Sequence, residues 1–265
     1  MKKIFFLATV SLLVFMSSCQ KVIDLPVTDA EPKLVIEAKY DAVKEEVFVK
    51  LSKSVNVFST GVYPTINGAT VEITDGNSVV TSLVDQGDGS YLLENYTPVY
   101  NSTYKMKVIV EGIAYEATDV LVPVVVLDSI TTEFQTQSPF FDEGYLVYLN
   151  ITDPVGTNFY RVVRKINGEY KRELKDQFMF DDDFTDGNIQ RIPLFPEFYQ
   201  LGDTIQMDLI SYSEKSFTYF RELRAIAGGA ASSAAPANPT SYWSNECLGH
   251  FSTYGYNTKI IVVTE

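Results

Sequence analysis

The chain has 265 residues, of which 21 are Lys or Arg and 34 are Asp or Glu, so its formal net charge is −13. Affinity for nucleic acid comes mainly from basic residues that neutralise phosphates, and this balance therefore argues against a nucleic-acid partner. The hydrophobic content of 46% is typical of an ordered globular protein. With one histidine and two cysteines, the chain has few ligands for zinc, and His250 is its only candidate for histidine base catalysis.

The N-terminal residues have the features of a bacterial lipoprotein signal. Lys2 and Lys3 precede an apolar run over residues 4–15, which is shorter than the ~20 residues that a membrane-crossing helix needs. Small residues then lead directly into Cys19, as in a lipobox, where the cysteine is acylated after cleavage before it. We therefore predict a signal peptide over residues 1–18, lipidation of Cys19 and a tether over residues 19–33. The alternative is an ordinary signal peptide in which Cys19 is incidental.

The first half of the mature chain has the pattern of a β-sandwich. Apolar residues alternate over residues 69–74, and two strand-like runs flank the turn signal Glu111-Gly112. About seven short strands follow one another before Pro123, with turn signals roughly every ten residues and no amphipathic helix. We predict an immunoglobulin- or fibronectin-like β-sandwich over residues 34–123.

The second half, residues 124–265, is predicted to be a β-rich domain with one amphipathic helix. Strand patterns recur, and the period changes only at residues 216–227. There Phe217, Phe220 and Leu223 share one helical face, and Ser216 is the predicted N-cap. The fold class is therefore mostly β.

One acidic cluster is a candidate for binding a cation. Asp181, Asp182, Asp183 and Asp186 lie within six positions, and calcium prefers several oxygen ligands on a flexible loop. The EF-hand register fails, because Phe184 occupies a position where that loop needs an oxygen ligand. We interpret the cluster as a solvated acidic turn, with a calcium site as the alternative, and we predict no cofactor.

Aromatic residues in predicted loops are candidates for contact with a partner. Tyrosine and phenylalanine are abundant, with 17 of each, and loops on a rigid β scaffold often carry binding residues. These rings either plug a core or face a partner. The candidates for the second role are Phe140, Phe141, Phe198, Tyr199, Tyr242 and Trp243.

Several stretches, in their order along the chain, resemble a Bacteroidota lipoprotein family catalogued as domain of unknown function 4249. They are residues 19–25 (CQKVIDL), 31–37 (EPKLVIE), 49–54 (VKLSKS), 68–71 (GATV), 180–187 (FDDDFTDG) and 211–214 (SYSE), the pair Tyr219-Phe220, Leu223, and residues 248–252 (LGHFS). Residues 245–247 (NEC) depart from the pattern, which has more Asn and Gly there. The resemblance implies an outer-membrane lipoprotein that acts beside a TonB-dependent transporter, and it carries over no catalytic residue.

These observations lead to one functional hypothesis and two rivals. We predict a lipid-anchored, non-enzymatic protein of the outer membrane, on either face of it, that serves as an accessory or binding partner of a TonB-dependent transporter. The first rival is a surface adhesin or structural module. The second is a hydrolase that uses two carboxylates, since acidic pairs are plentiful in this chain.

Overall fold

The computed structural model describes residues 31–56, 61–171, 173, 176–227 and 238–265. These residues form sixteen strands and one helix, which confirms the predicted mostly β fold. The predicted signal peptide, Cys19 and nearly all of the tether lie outside the described residues. The elements are β1 (Leu34–Asp41), β2 (Glu46–Lys53), β3 (Thr70–Thr74), β4 (Val80–Ser82), β5 (Val84–Asp85), β6 (Ser90–Leu93), β7 (Ser102–Val110), β8 (Ile113–Leu121), β9 (Leu127–Gln135), β10 (Gly144–Thr152), β11 (Phe159–Ile166), β12 (Glu169–Lys171), β13 (Phe178–Asp181), β14 (Ile189–Tyr199), β15 (Thr204–Tyr212), α1 (Glu214–Ala227) and β16 (Phe251–Val262).

A central sheet of nine strands takes members from both halves of the chain. Its order is β12-β11-β15-β16-β1-β2-β6-β5, and β13 also pairs with β11. Every pairing in it is antiparallel except that of β1 with β16, which is parallel and places Ala38 opposite Phe251. The parallel pair therefore joins the first strand of the described chain to the last.

A four-stranded sheet, ordered β4-β3-β7-β8, covers one half of the central sheet. Because side chains alternate along a strand, Ile36 of β1 and Val49 of β2 face the same side, where they pack with Val71 of β3 and Met106 of β7. All four are essentially buried. This is the sandwich-like arrangement predicted for the first half.

A three-stranded sheet, ordered β14-β10-β9, covers the other half on the same face. Val147 and Leu149 of β10 pack there with Tyr160 of β11 and Leu209 of β15. The register of β16 puts Leu209 and Phe251 on one side of the central sheet, so both hydrophobic cores share that side.

Residues Pro32–Glu265 form one compact unit. The predicted division at Pro123 separates two hydrophobic cores, since the first core draws almost all its members from residues before it and the second from residues after it. It does not separate two sheets, because the central sheet is continuous across β16 and β1.

Helix α1 lies on the opposite face of the central sheet. Phe217 is buried against Ile210 and Tyr212 of β15, while Phe220 is partly buried and Leu223 is exposed. The helix begins at Glu214, two residues before the predicted start, because the Oγ of Ser213 accepts the backbone N–H of Ser216. Ser213 is therefore the N-cap. Within the described residues, no helix combines the length and apolar character that a membrane crossing requires.

Candidate functional site

Two of the predicted partner-facing aromatic residues, Phe141 and Phe198, meet at one end of β10 and β14. The ring of Phe141 stacks on Phe198 at 5.0 Å between centroids and meets the edge of Phe195 at 6.0 Å. Phe195 and Phe198 are also 6.0 Å apart. Phe140 is next in the same loop and is 91% exposed. We call Phe140, Phe141, Phe195 and Phe198 the phenylalanine cluster.

The other predicted aromatic residues lie elsewhere. Tyr199 is buried in the second hydrophobic core and Trp243 in the first, so their rings are unavailable to a partner. Phe198 and Tyr199 are adjacent in sequence but point to opposite faces of β14, so only one of the two can face outward. Tyr242 is partly buried against His250, 5.9 Å between ring centroids.

A groove of about 510 Å³ lies between α1 and the uncovered part of the central sheet. Its floor consists of outward-facing residues of five adjacent strands, and its wall is one side of α1. The aromatic members are Phe48, Tyr212, Tyr219, Phe220 and Tyr254. This volume lies within the range of roughly 300–1,000 Å³ that small-molecule sites occupy.

The groove also contains basic side chains. Arg161 of β11 has its guanidinium carbon 5.4 Å from the centroid of the Phe220 ring, and its Nε is buried without a hydrogen-bond partner in the described residues. Lys39 of β1 places its Nζ 5.1 Å from the centroid of Phe48. Lys50 also lines the groove, but it donates to the carbonyl of Asp88 at 2.8 Å. The groove therefore combines flat apolar rings with cations, and Glu37 is the acidic residue in its lining.

A buried polar network supports the wall of the groove. The carboxylate of Asp119, at the end of β8, accepts the hydroxyl of Ser213, the hydroxyl of Ser216 at 2.8 Å and the backbone N–H of Thr253 at 2.7 Å. Burial raises the pKa of Asp119. The network thus connects β8, the first turn of α1 and β16.

His250 extends this network into the groove. Its Nε2 lies 3.0 Å from the Oγ of Ser216, and its ring stacks on Tyr219 at 4.4 Å and 11°. The hydroxyl of Ser216 donates to Asp119, and in the tautomer that fits this arrangement Nε2 of His250 donates to Ser216. Nδ1 is then the buried ring nitrogen without a hydrogen-bond partner in the described residues. Burial, together with the nearby charge of Lys215, lowers the pKa of His250 to about 3.

The arrangement of Asp119, Ser216 and His250 differs from that of a hydrolytic triad. A nucleophilic hydroxyl must donate to the histidine, whereas Ser216 donates to the carboxylate and is completely buried. The thiol of Cys247 is also buried, and this burial raises its pKa to about 12, so it is a poor nucleophile. The network holds elements together and orients Tyr219.

The family described as domain of unknown function DUF4249 matches residues 20–259. The chain belongs to this family. The match covers all sixteen described strands except the last residues of β16, which agrees with the resemblance found along the whole sequence. No curated protein matches the chain.

In this DUF4249 chain the acidic loop contributes only two of its four predicted ligands to a cluster. Carboxylate oxygens of Asp182 and Asp186 lie within 4.8 Å of each other and of Asp153, while Asp181 and Asp183 are outside this set. Asp153 escaped the sequence analysis because it lies 29 residues before Asp182. Asp153 could have been predicted only from the pairing of β10 with β14. This pairing places Thr152 opposite Ile189, so the residue after β10 lies beside the end of the acidic loop.

The cluster is a closely coupled pair of buried carboxyl groups with one exposed neighbour. Asp153 accepts the hydroxyl of Tyr160, and Asp182 accepts the backbone N–H of Asn158 at 3.0 Å. Burial raises the pKa of Asp153, and the charge of Asp182 raises it further. Three carboxylates are fewer than the six to eight oxygen ligands that calcium takes.

Proposed function

We propose that this protein is a lipid-anchored, non-enzymatic component of the outer membrane that binds an envelope partner through the phenylalanine cluster. The partner we propose is a TonB-dependent transporter. The lipidation signal ending at Cys19 and the resemblance of the sequence to lipoproteins support the membrane location. The burial of Ser216, His250 and Cys247 supports a role that needs no nucleophile or base.

The single observation that carries the proposal is the exposure of the phenylalanine cluster. Phe140 is 91% exposed and Phe195 is 53% exposed, although the three rings of Phe141, Phe195 and Phe198 already pack on one another. Exposed aromatic rings of this kind are enriched at protein–protein interfaces, where they bury a large area with little loss of side-chain entropy. An anchor that confines both partners to one membrane raises their effective concentration, so a patch of this size is sufficient.

The test is affinity isolation of the tagged full-length protein from gently solubilised outer membranes, with identification of co-purified proteins by mass spectrometry. The double variant Phe140→Ser, Phe195→Ser should lower recovery of a TonB-dependent transporter by roughly tenfold or more, since anchor residues of this kind contribute above ~1 kcal/mol each. Phe184→Ser is the matched control, because Phe184 is fully exposed on the acidic loop and lies outside the cluster.

Two results would contradict the proposal. The first is recovery of the wild-type protein without any transporter. The second is equal recovery of the transporter with the double variant and with the control. Incorporation of labelled palmitate into the wild type but not into Cys19→Ser checks the anchor separately.

A further inference from the structure

We propose that the groove beside α1 is a binding site for a small organic anion with a flat apolar body, and that Arg161 binds its acidic group. This site is separate from the phenylalanine cluster, which lies beside the three-stranded sheet. The ligand would be a carboxylate, sulfonate or sulfate attached to an aromatic or similarly planar skeleton.

The first argument is the state of Arg161. Its side chain is partly buried and hydrogen-bonds with the hydroxyl of Tyr212, a neutral group. No carboxylate of the described residues forms an ion pair with it. A partly buried charge without an opposite charge beside it costs free energy, and an anionic ligand would compensate it. By contrast, Arg164 of the same strand points to the opposite face and is paired with Asp176 and Glu197. Of these two arginines, it is Arg161 that lacks an acidic partner.

The second argument is the fixed orientation of the guanidinium. Arg161 lies over the ring of Phe220, and a guanidinium held in this way presents its planar fork of donors without a further loss of rotamer freedom. A carboxylate or sulfonate can accept two parallel hydrogen bonds from such a fork. A neutral ligand offers no equivalent compensation for the charge.

The third argument concerns the body of the ligand. Between Arg161 and the far end of the groove lie Tyr212, Tyr254 and Phe220, which provide flat apolar surface. Rings of this kind stack best on planar groups. Lys39, three strands away from β11, or about 14 Å at the usual strand spacing, provides a second cation at the far end. No ion pair of Lys39 is found among the described residues either.

Charge complementarity identifies the occupant as an anion. The whole chain has a net charge of −13, yet the groove contains Lys39 and Arg161, for which no ion pair is found among the described residues, and only one acidic side chain, Glu37. Lys50 also lines the groove, but it forms an ion pair with Asp88 at 3.7 Å. Lys39 and Arg161 give the groove a charge opposite to that of the chain as a whole, which favours an anionic ligand there. A half-open groove of about 510 Å³ suits a small molecule rather than a folded partner.

The experiment compares two fluorescent probes that share one skeleton. 1-Anilinonaphthalene-8-sulfonate has an acidic group, and N-phenyl-1-naphthylamine lacks it. Both are titrated into the full-length protein carrying Cys19→Ser, so that no acyl chain competes for them. Arg161→Gln should weaken binding of the sulfonate by about tenfold or more, since a charge-assisted hydrogen bond is lost, and should change binding of the neutral probe less than about twofold.

Arg191→Gln is the matched control, because Arg191 is an exposed arginine of β14 that contacts Tyr148 and Glu133. It should leave both probes unaffected. Lys39→Gln at the far end of the groove provides a second variant if Arg161→Gln fails to fold, and it should weaken the sulfonate alone by about threefold. Circular dichroism and thermal unfolding establish that each variant is folded.

Three outcomes would overturn the inference: the wild type binds the sulfonate no more tightly than the neutral probe, Arg161→Gln behaves as wild type, or Arg191→Gln weakens the sulfonate equally. None of them bears on recovery of a transporter through the phenylalanine cluster, so this inference and the proposed function fail independently.

Discussion

Burial gives His250 an environment very different from that of a histidine in water. In the unfolded chain its imidazole has a pKa near 6.5, whereas burial and Lys215 lower the pKa to about 3 in the folded protein. The unfolded state therefore binds more protons between these two values. Stability contributed by neutral His250 is complete above pH ~6.5 and is lost as the pH falls toward 3, by up to about tenfold in the folding constant per pH unit.

This gives a prediction that NMR can check directly, because the chain contains one histidine. The imidazole signal should keep its neutral position down to about pH 4. The variant His250→Gln should also lose less stability than the wild type between pH 7 and pH 4 in urea denaturation. Comparison with the variant is essential, since Asp119 and Asp153 have raised pKa values and act in the opposite direction. A histidine titrating near pH 6.5 would contradict the buried position.

The position of Gly249, immediately before His250, requires glycine because of its backbone conformation and the close approach of β1. Its φ is +94°, and a Cβ placed there would lie 2.1 Å from the carbonyl oxygen of Ile36. We expect Gly249→Ala to lower the free energy of unfolding by about 3 kcal/mol or more, because β1 must move away. Gly112→Ala is the control, since Gly112 has a φ of +82° but open space around it, and it should cost about 1 kcal/mol. Equal losses in urea denaturation would disprove the steric explanation.

At the scale of elements, Asp119 determines how α1 is attached. Its carboxylate accepts hydrogen bonds from both ends of the first helical turn and from β16. Asp119→Ala leaves these donors buried and unpaired, and we expect it to destabilise the protein by about 3 kcal/mol. Asp128→Ala is the matched control, because Asp128 accepts one hydroxyl, from Thr152, in an exposed position.

The control should cost less than about 1 kcal/mol. Hydrogen exchange adds a readout of position, since the amides of α1 should lose protection in Asp119→Ala before those of β7 do. Uniform loss of protection throughout the chain would show that Asp119 does not act through α1.

Elements with a regular period could be predicted from the sequence. The hairpin of β7 and β8 turns at Glu111 and Gly112, which have φ values of 51° and 82°, as the turn signal predicted. The start of α1 could not be read correctly, because Ser213 and Ser216 are both acceptable N-caps by residue type. In the structure the Oγ of Ser213 accepts the backbone N–H of Ser216, while both serine hydroxyls donate to Asp119, which lies 94 and 97 residues earlier.

At the scale of the molecule, sequence patterns identified the layers but not how they are joined. A β-branched strand such as β16 carries no local signal for the neighbour it will pair with, and the parallel partner β1 is more than 200 residues earlier. For the same reason the groove could not be predicted. Arg161, Lys39 and Phe220 are distant in sequence, and the residues around each of them form no motif that indicates a binding site.

Three of the four residues of the phenylalanine cluster were candidates from the sequence, but their exposure was not predictable. Aromatic residues in loops drew attention to Phe140, Phe141 and Phe198, but composition does not distinguish a ring that faces solvent from one that plugs a core. That distinction depends on which face of β14 each residue occupies, and a register shift in β10 between Leu146 and Tyr148 makes the alternation irregular there.

The position of β16 has a consequence for how the chain is made. This strand lies between β15 and β1 in the middle of the central sheet, yet it follows all the other described strands in the sequence. Until it arrives, β1 and β15 each have an unpaired edge, and the two halves of the sheet have no hydrogen bonds to each other. Until β16 pairs with them, β1 and β15 therefore leave two strand edges exposed in the folding chain, and exposed strand edges promote aggregation.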